Sequence, residues 1–193
     1  MENSRAYNAV EEMVDRNVAL GRGEKVAFAD PDRSLTYGAL QFASNRVANL
    51  LMDLGSRQER RIALLLHDTV DFPVVFWGAL RAGVVPVCLN TLLTVDQYRY
   101  VLDDCRAEVL LVSAPLLPVV APLFSRLGHL RQVVVCGAEA GAADYPALAS
   151  LLNGADAHFP TARTLADETA FWLYSSGSTG APKAVRHVHA SPG

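Results

Sequence analysis

Short apolar runs alternate with longer stretches in which apolar residues return every three or four positions. Ile62-Ala63-Leu64-Leu65-Leu66, Val84 to Leu89, Val109-Leu110-Leu111-Val112, Gln132 to Cys136 and 170–174 are each too short for a buried helix and bounded by turn residues, so each predicts a strand. Between them lie helical patterns. Leu40, Ala43, Val47, Leu50 and Leu54 share one face behind the N-cap candidate Thr36, and Gly55 stops the run. Residues 70–82 form an apolar helix ended by Gly83, and Thr94 with Gln97 makes a capping box for a helix to about Asp104. Residues 116–127 and 145–152 predict two further helices. Before the series, Ala9, Val10, Met13 and Val14 make one helix face that Gly21-Arg22-Gly23 breaks. Lys25-Val26-Ala27-Phe28-Ala29 reads as a strand and Asp30-Pro31-Asp32 as a turn.

Continuous apolar strands separated by helices predict an α/β fold, a mostly parallel sheet with helices on both faces. Residues 24–152 read as the α/β subdomain, 153–167 as a loose connection, and 168–193 as strand, loop and strand. No internal repeat is visible.

Composition narrows the classes. The chain has 193 residues, 51% of them hydrophobic, which suffices for one substantial core. A formal net charge of −3 without a basic patch gives nucleic acid no footing. No uncharged apolar run approaches the ~20 residues of a membrane span. Met1-Glu2-Asn3-Ser4-Arg5 lacks the layout of a signal peptide. Three widely spaced cysteines in apolar surroundings, Cys88, Cys105 and Cys136, read as reduced thiols of a cytoplasmic protein.

The candidate chemistry sits after the strand Ala170-Phe171-Trp172-Leu173, in Tyr174-Ser175-Ser176-Gly177-Ser178-Thr179-Gly180-Ala181-Pro182-Lys183. Glycines let a backbone approach an anion, successive N–H groups make a nest, hydroxyls add donors and Lys183 a charge. The run is not a Walker A, because Ala184 follows the lysine where Ser or Thr is required. Nor is it a hydrolase elbow, because Ser176 stands where Gly-x-Ser-x-Gly needs glycine. The competing reading is an ordinary surface turn. After the loop, Val185 and Val188 flank alternating polar residues and predict a strand rather than the helix of a Walker fold.

Ser175-Ser176-Gly177-Ser178-Thr179-Gly180-Ala181-Pro182-Lys183 resembles the phosphate-binding signature of the adenylate-forming enzymes, which include acyl-CoA synthetases, luciferases and peptide-synthetase adenylation domains. Several flanks resemble the benzoate-CoA ligase branch. They are Phe171-Trp172-Leu173-Tyr174-Ser175-Ser176, Val185-Arg186-His187-Val188-His189-Ala190, Asp68-Thr69-Val70-Asp71-Phe72-Pro73, Gly78 to Val87 and Leu89-Asn90-Thr91-Leu92-Leu93-Thr94. The resemblance implies ATP-dependent activation of an aromatic carboxylate to an acyl-adenylate, then transfer to CoA, with Mg2+ accompanying ATP. Ser175, Ser176, Gly177, Ser178, Thr179, Gly180 and Lys183 would bind the ATP phosphates, Lys183 with an electrostatic role on the leaving pyrophosphate. No metal ligand is assigned. It further implies that the aryl pocket, the adenine site, the metal-binding acid and a small domain with a catalytic lysine lie beyond Gly193. The 193 residues alone are then inactive, with apolar surface left open and a homo-oligomer left as an option. A hydroxybenzoate or fatty-acid ligase, and a non-catalytic phosphate- or partner-binding module, stay open as alternatives.

Other residues carry bland expectations. His187-x-His189 has a spacing that metals accept, yet an ordinary strand is preferred, with His189 shaping the loop by family resemblance. His67-Asp68 is read as a strand end with Asp68 capping the next helix, ahead of a base role. Met13, Met52, Phe76 and Trp77 are read as core, Glu59-Arg60-Arg61 as a solvated face, and Asp103-Asp104 as a helix end poorly placed for metal work. Ala184 replaces a glycine common in the family, which costs about 1 kcal/mol if that position needs positive φ.

Overall fold

The computed structural model describes residues 6–137, 144–175 and 182–192. Its centre is a sheet of six strands: β3 (Arg61–Leu65), β4 (Val85–Cys88), β5 (Val109–Ser113), β6 (Gln132–Cys136), β7 (Thr169–Ser175) and β8 (Lys183–Val188). Their order is β6-β5-β3-β4-β7-β8; all neighbours are parallel except β7 and β8, which form an antiparallel hairpin. The expected α/β fold is therefore present, with one antiparallel edge. A separate two-stranded sheet, β1 (Val26–Ala29) with β2 (Ser34–Thr36), precedes it.

Alternation along each strand divides the core. Ile62, Leu64, Val109, Leu111 and Val134 face α1 (Tyr37–Asp53), α2 (Asp71–Arg81) and α5 (Leu148–Leu152). Ala63, Leu65, Leu110, Val112 and Val133 face α3 (Val95–Cys105) and the 114–127 segment. Both faces are covered, which is why the strands read as unbroken apolar runs. Thr36 caps α1 by accepting from the Ala39 N–H at 3.2 Å. The Thr94–Gln97 capping box closes in both directions, at 2.9 and 3.3 Å.

Three expectations need correction. The 116–127 helix is broken into a 3-10 turn (Ala114–Leu116), α4 (Leu117–Val120) and a 3-10 stretch (Ala121–Arg126). Pro115, Pro118 and Pro122 each remove an N–H donor and crowd the preceding turn. Asp68 does not cap α2: it is exposed, and the Val70 N–H at that helix start donates instead to Asp30 Oδ2 at 2.9 Å. Asp30 also accepts from the Asp32 and Arg33 N–H groups at 3.0 and 2.7 Å. These bonds, with Val70 foremost, hold its carboxyl below the usual carboxylate range. Finally, Arg61 is not on a solvated face. It is half-buried over the Trp172 ring, 5.5 Å from its centroid, and its Nε–H donates to the Cys105 carbonyl at 2.5 Å.

The stretch 153–167 is tied down along its length. Asn49 Nδ2 donates to the Asp156 and His158 carbonyls, both at 2.9 Å, and the Ala162 N–H donates to the Arg81 carbonyl at 2.8 Å. Tyr7 and Thr164 exchange two bonds, at 2.9 and 2.7 Å. The chain thus reaches β7 along a fixed strap.

Helices α1 and α2 cross closely at Gly78. A Cβ there would lie 2.5 Å from both Cβ and Cγ1 of Val47 and 3.0 Å from the Ser44 carbonyl oxygen. Alanine has the better helix propensity by about 1 kcal/mol, but overpacking a filled crossing costs about 1–3 kcal/mol. We expect Gly78→Ala to destabilise the fold by about 1–2 kcal/mol in urea unfolding; a stabilised variant would show that the two helices separate freely.

Candidate functional site

The sheet's carboxyl edge is built from the ends of β3, β4, β5, β6 and β7, where ligands of parallel α/β sheets collect. Ser175 ends β7 there and Lys183 begins β8 directly across the ladder from it. Both are exposed. β7 and β8 therefore pair as an antiparallel hairpin, and a strand runs on from Lys183 as expected. Ser176, Gly177, Ser178, Thr179 and Gly180 lie outside the described residues. Ala184 pairs with Tyr174 in the ladder and is not among the positive-φ residues, so the cost anticipated for replacing a glycine does not arise.

Beside β7, the end of β4 runs into Asn90-Thr91-Leu92-Leu93. Asn90 Oδ1 accepts from the Leu92 N–H at 2.8 Å, and buried Tyr98 donates its hydroxyl to the Asn90 carbonyl at 3.0 Å. This rigid turn holds Leu92 88% exposed next to the hairpin. One strand further over, His67 lines an open 330 Å³ cavity with Arg33, Asp71 and Ser113, and its N–H donates to Ser113 Oγ at 2.9 Å. A 240 Å³ hollow with Arg61, Trp172 and Arg186 lies at the opposite, amino end of β3 and β4, away from Ser175 and Lys183.

The two histidines after the loop do not converge. His187 stacks on Phe171, its partner across the ladder, with centroids 4.5 Å apart and planes 3° from parallel. His189 is 2% exposed. Its Nδ1 accepts from the Ala9 N–H at 3.4 Å and its own N–H donates to the Glu168 carbonyl at 3.1 Å. The imidazole thus serves a helix N-terminus as an outside cap while Asn8 Oδ1 takes the next N–H, that of Val10, at 3.1 Å. Burial lowers its pKa to about 4, so it is neutral at pH 7.

Burial likewise raises the Cys88 and Cys105 thiols, to about 12 and 11, and Cys136 further, so all three stay protonated and none is a ready nucleophile. Among the described residues no three His, Cys, Asp or Glu side chains come together to hold a metal ion, and no helix is long and apolar enough to cross a membrane. Sequence reading missed Asp30, Arg81 and the Tyr174–Asp104 pair, all of which act across gaps in the chain that periodicity does not bridge.

A family model described as AMP-binding enzyme matches residues 15–192. A 4-hydroxybenzoate--CoA/benzoate--CoA ligase of Rhodopseudomonas palustris is 54% identical, over 97% of this chain and 34% of its own length. A benzoate--CoA ligase of Thauera aromatica is 42% identical, over 95% of this chain and 34% of its length. Among solved structures, an anthranilate CoA ligase in complex with anthranoyl-AMP superposes with a TM-score of 0.91 at 33% identity, covering 95% of this chain and 35% of that one. A benzoate CoA ligase from Burkholderia xenovorans gives 0.83 at 36% identity, with the same coverage of 95% and 35%. The chain spans about a third of the length of the curated relatives it matches.

The buried histidine makes stability pH-dependent. Its ordinary pKa is 6.5 and its folded value about 4, so between these the unfolded chain binds a proton that the folded chain refuses. Stability from this group is complete above about pH 6.5 and lost as pH falls toward 4. The stability advantage of wild type over His189→Asn should shrink by up to ~3 kcal/mol between pH 7 and 4.5 in urea unfolding. A pH-independent difference would show that the imidazole is not buried in its neutral form.

Proposed function

The chain belongs to the AMP-binding enzyme family, and on that premise we propose that the protein carrying it is an AMP-forming ligase that joins an aromatic carboxylate of the benzoate type to CoA. A carboxylate oxygen attacks the α-phosphorus of ATP and pyrophosphate leaves, giving an acyl-adenylate. The CoA sulfur then attacks the acyl carbon, the thiol proton passes to solvent, and AMP departs. A carboxylate is a poor electrophile, and adenylation supplies the leaving group it lacks.

The observation that carries this reading is the hairpin at the sheet's carboxyl edge, with Ser175 opposite Lys183 and the sequence Ser-Gly-Ser-Thr-Gly-Ala-Pro between them. Backbone N–H groups of such a turn, with Ser175, Ser176, Ser178 and Thr179, would grip the β- and γ-phosphates. Gly177 and Gly180 would admit the close approach. Lys183 would offset the charge that builds on pyrophosphate as it leaves. Magnesium would accompany the ATP phosphates; the described residues gather no cage for it. We assign the activity to the cytoplasm, where reduced thiols such as the three free cysteines persist.

The benzoate assignment follows from relatives whose names include benzoate and 4-hydroxybenzoate, and a hydroxybenzoate substrate is the second reading. Pyrophosphate exchange reports adenylation without CoA. Lys183→Ala should lower exchange about a hundredfold, and Thr179→Val less, with both proteins melting as wild type does. Wild-type exchange in both variants would remove the phosphate role. A panel of benzoate, 4-hydroxybenzoate, anthranilate and a long-chain fatty acid decides the acid; fastest exchange with the fatty acid would overturn the aromatic assignment.

A further inference from the structure

The hairpin that carries the loop is weakly joined to the rest of the sheet. β3 pairs with β4 over four residues and with β5 over four, and β5 with β6 over five, but β4 meets β7 over only two, Val87↔Trp172 and Cys88↔Leu173. Beyond Leu173 the ladder of β7 continues only into β8, through Tyr174↔Ala184 and Ser175↔Lys183. Two residues on each strand therefore project past β4 at the end that bears the loop. The far end is held independently, by His189 against Ala9 and Glu168 and by the Ala190 N–H on the Ala166 carbonyl at 3.0 Å.

At the projecting end, Tyr174 points to the α3 face of the sheet and packs against that core. Its hydroxyl donates to Asp104 Oδ2 on α3 at 2.5 Å. Among the described residues this is the side-chain hydrogen bond that ties the projecting end to another element. The receiving helix is itself fixed at both termini: the capping box holds its start, and Arg61 holds the Cys105 carbonyl, next to Asp104, at 2.5 Å. The same Arg61 covers Trp172, two residues before Tyr174 on β7. Burial, and the Asp104 carboxylate after it, raises the Tyr174 pKa, so the phenol keeps its proton and remains the donor.

We propose that Asp104 is a positioning residue for the phosphate loop, acting through Tyr174 to fix where the end of β7 delivers the loop to ATP. This rests on the phosphate role proposed above. Neither residue needs to touch the nucleotide. Ser175 follows Tyr174 directly and faces Lys183, so a shift of the phenol shifts both proposed phosphate contacts together. Mispositioning of this kind weakens capture of ATP, and displacements near 1 Å cost up to about a hundredfold.

The test is pyrophosphate exchange in the whole protein that carries this chain, with the KM for ATP read separately from kcat. Tyr174→Phe and Asp104→Ala should each raise that KM about tenfold, and the double variant should be no worse than either single one, because they break the same bond. Asp104→Asn, whose amide oxygen still accepts from the phenol, should recover most of the loss. Melting temperatures should stay near wild type, which a merely structural role would not allow. Lys183→Ala separates the two ideas. If it is impaired while Tyr174→Phe keeps a wild-type KM, the latch is wrong and the phosphate role stands. If Lys183→Ala itself exchanges normally, the phosphate role falls and the latch with it. Additive losses in the double variant would also overturn the proposal.

Discussion

A guanidinium buried at the end of α2 gathers the parts of this fold that are far apart in sequence. Arg81 is 3% exposed and donates to both carboxylate oxygens of Asp15, at 2.6 and 3.1 Å, to Ser44 Oγ at 3.2 Å and to Thr161 Oγ1 at 3.0 Å. Those partners sit on the N-terminal helical stretch, on α1 and on the strap that leads to β7. A charge so placed is tolerable only because its donors are used, and Asp15 is further engaged by Gln41 Nε2 at 2.9 Å. Removing one partner of such a pair costs about 3–5 kcal/mol when both are dry, and less here because a quarter of the Asp15 side chain stays accessible. The exposed Arg16–Glu12 pair one residue along contributes little by comparison.

From that centre, position passes outward by contact. Asn8 Nδ2 reaches the Leu80 and Ala162 carbonyls, at 3.0 and 3.2 Å, so the first turn of the N-terminal helix is fixed to the end of α2 and to the strap at once. The same turn presents the Ala9 N–H to His189. The base of the β7–β8 hairpin is thereby held by groups that α2 and the strap have already placed, and the hairpin needs little pairing with β4. Polar groups in this region are satisfied by one another rather than by solvent, which is what allows a buried histidine, arginine and asparagine to sit together.

Much of this frame was legible in the sequence, and the reason is local. β6 runs from Gln132 to Cys136, Thr36 and Thr94 cap their helices, and the loop is followed by a strand, because patterning, capping and turn chemistry act over a few residues. The failures share an opposite cause. Asp30 caps a helix forty positions away, a partnership that displaced the local candidate Asp68. Arg61 lost its expected place in solvent because Trp172 arrives from another strand to lie beneath it. The 114–126 region kept its helical spacing on paper while three prolines removed the donors. Asp104, a residue with no local role beyond ending α3, gains a partner only when Tyr174 is brought to it.

The phosphate role proposed for the hairpin makes two demands on it. Its donors must be aimed before the nucleotide arrives, because reorganisation at the moment of reaction is costly. The backbone must also come close to a bulky anion, which favours a loop standing clear of the sheet. A fully paired β7 would meet the first demand and obstruct the second. A ribbon joined to β4 through only Trp172 and Leu173, and fastened by His189 at its base and Tyr174 near its tip, would meet both. Rigidity would then be supplied by two side-chain contacts in place of a long ladder.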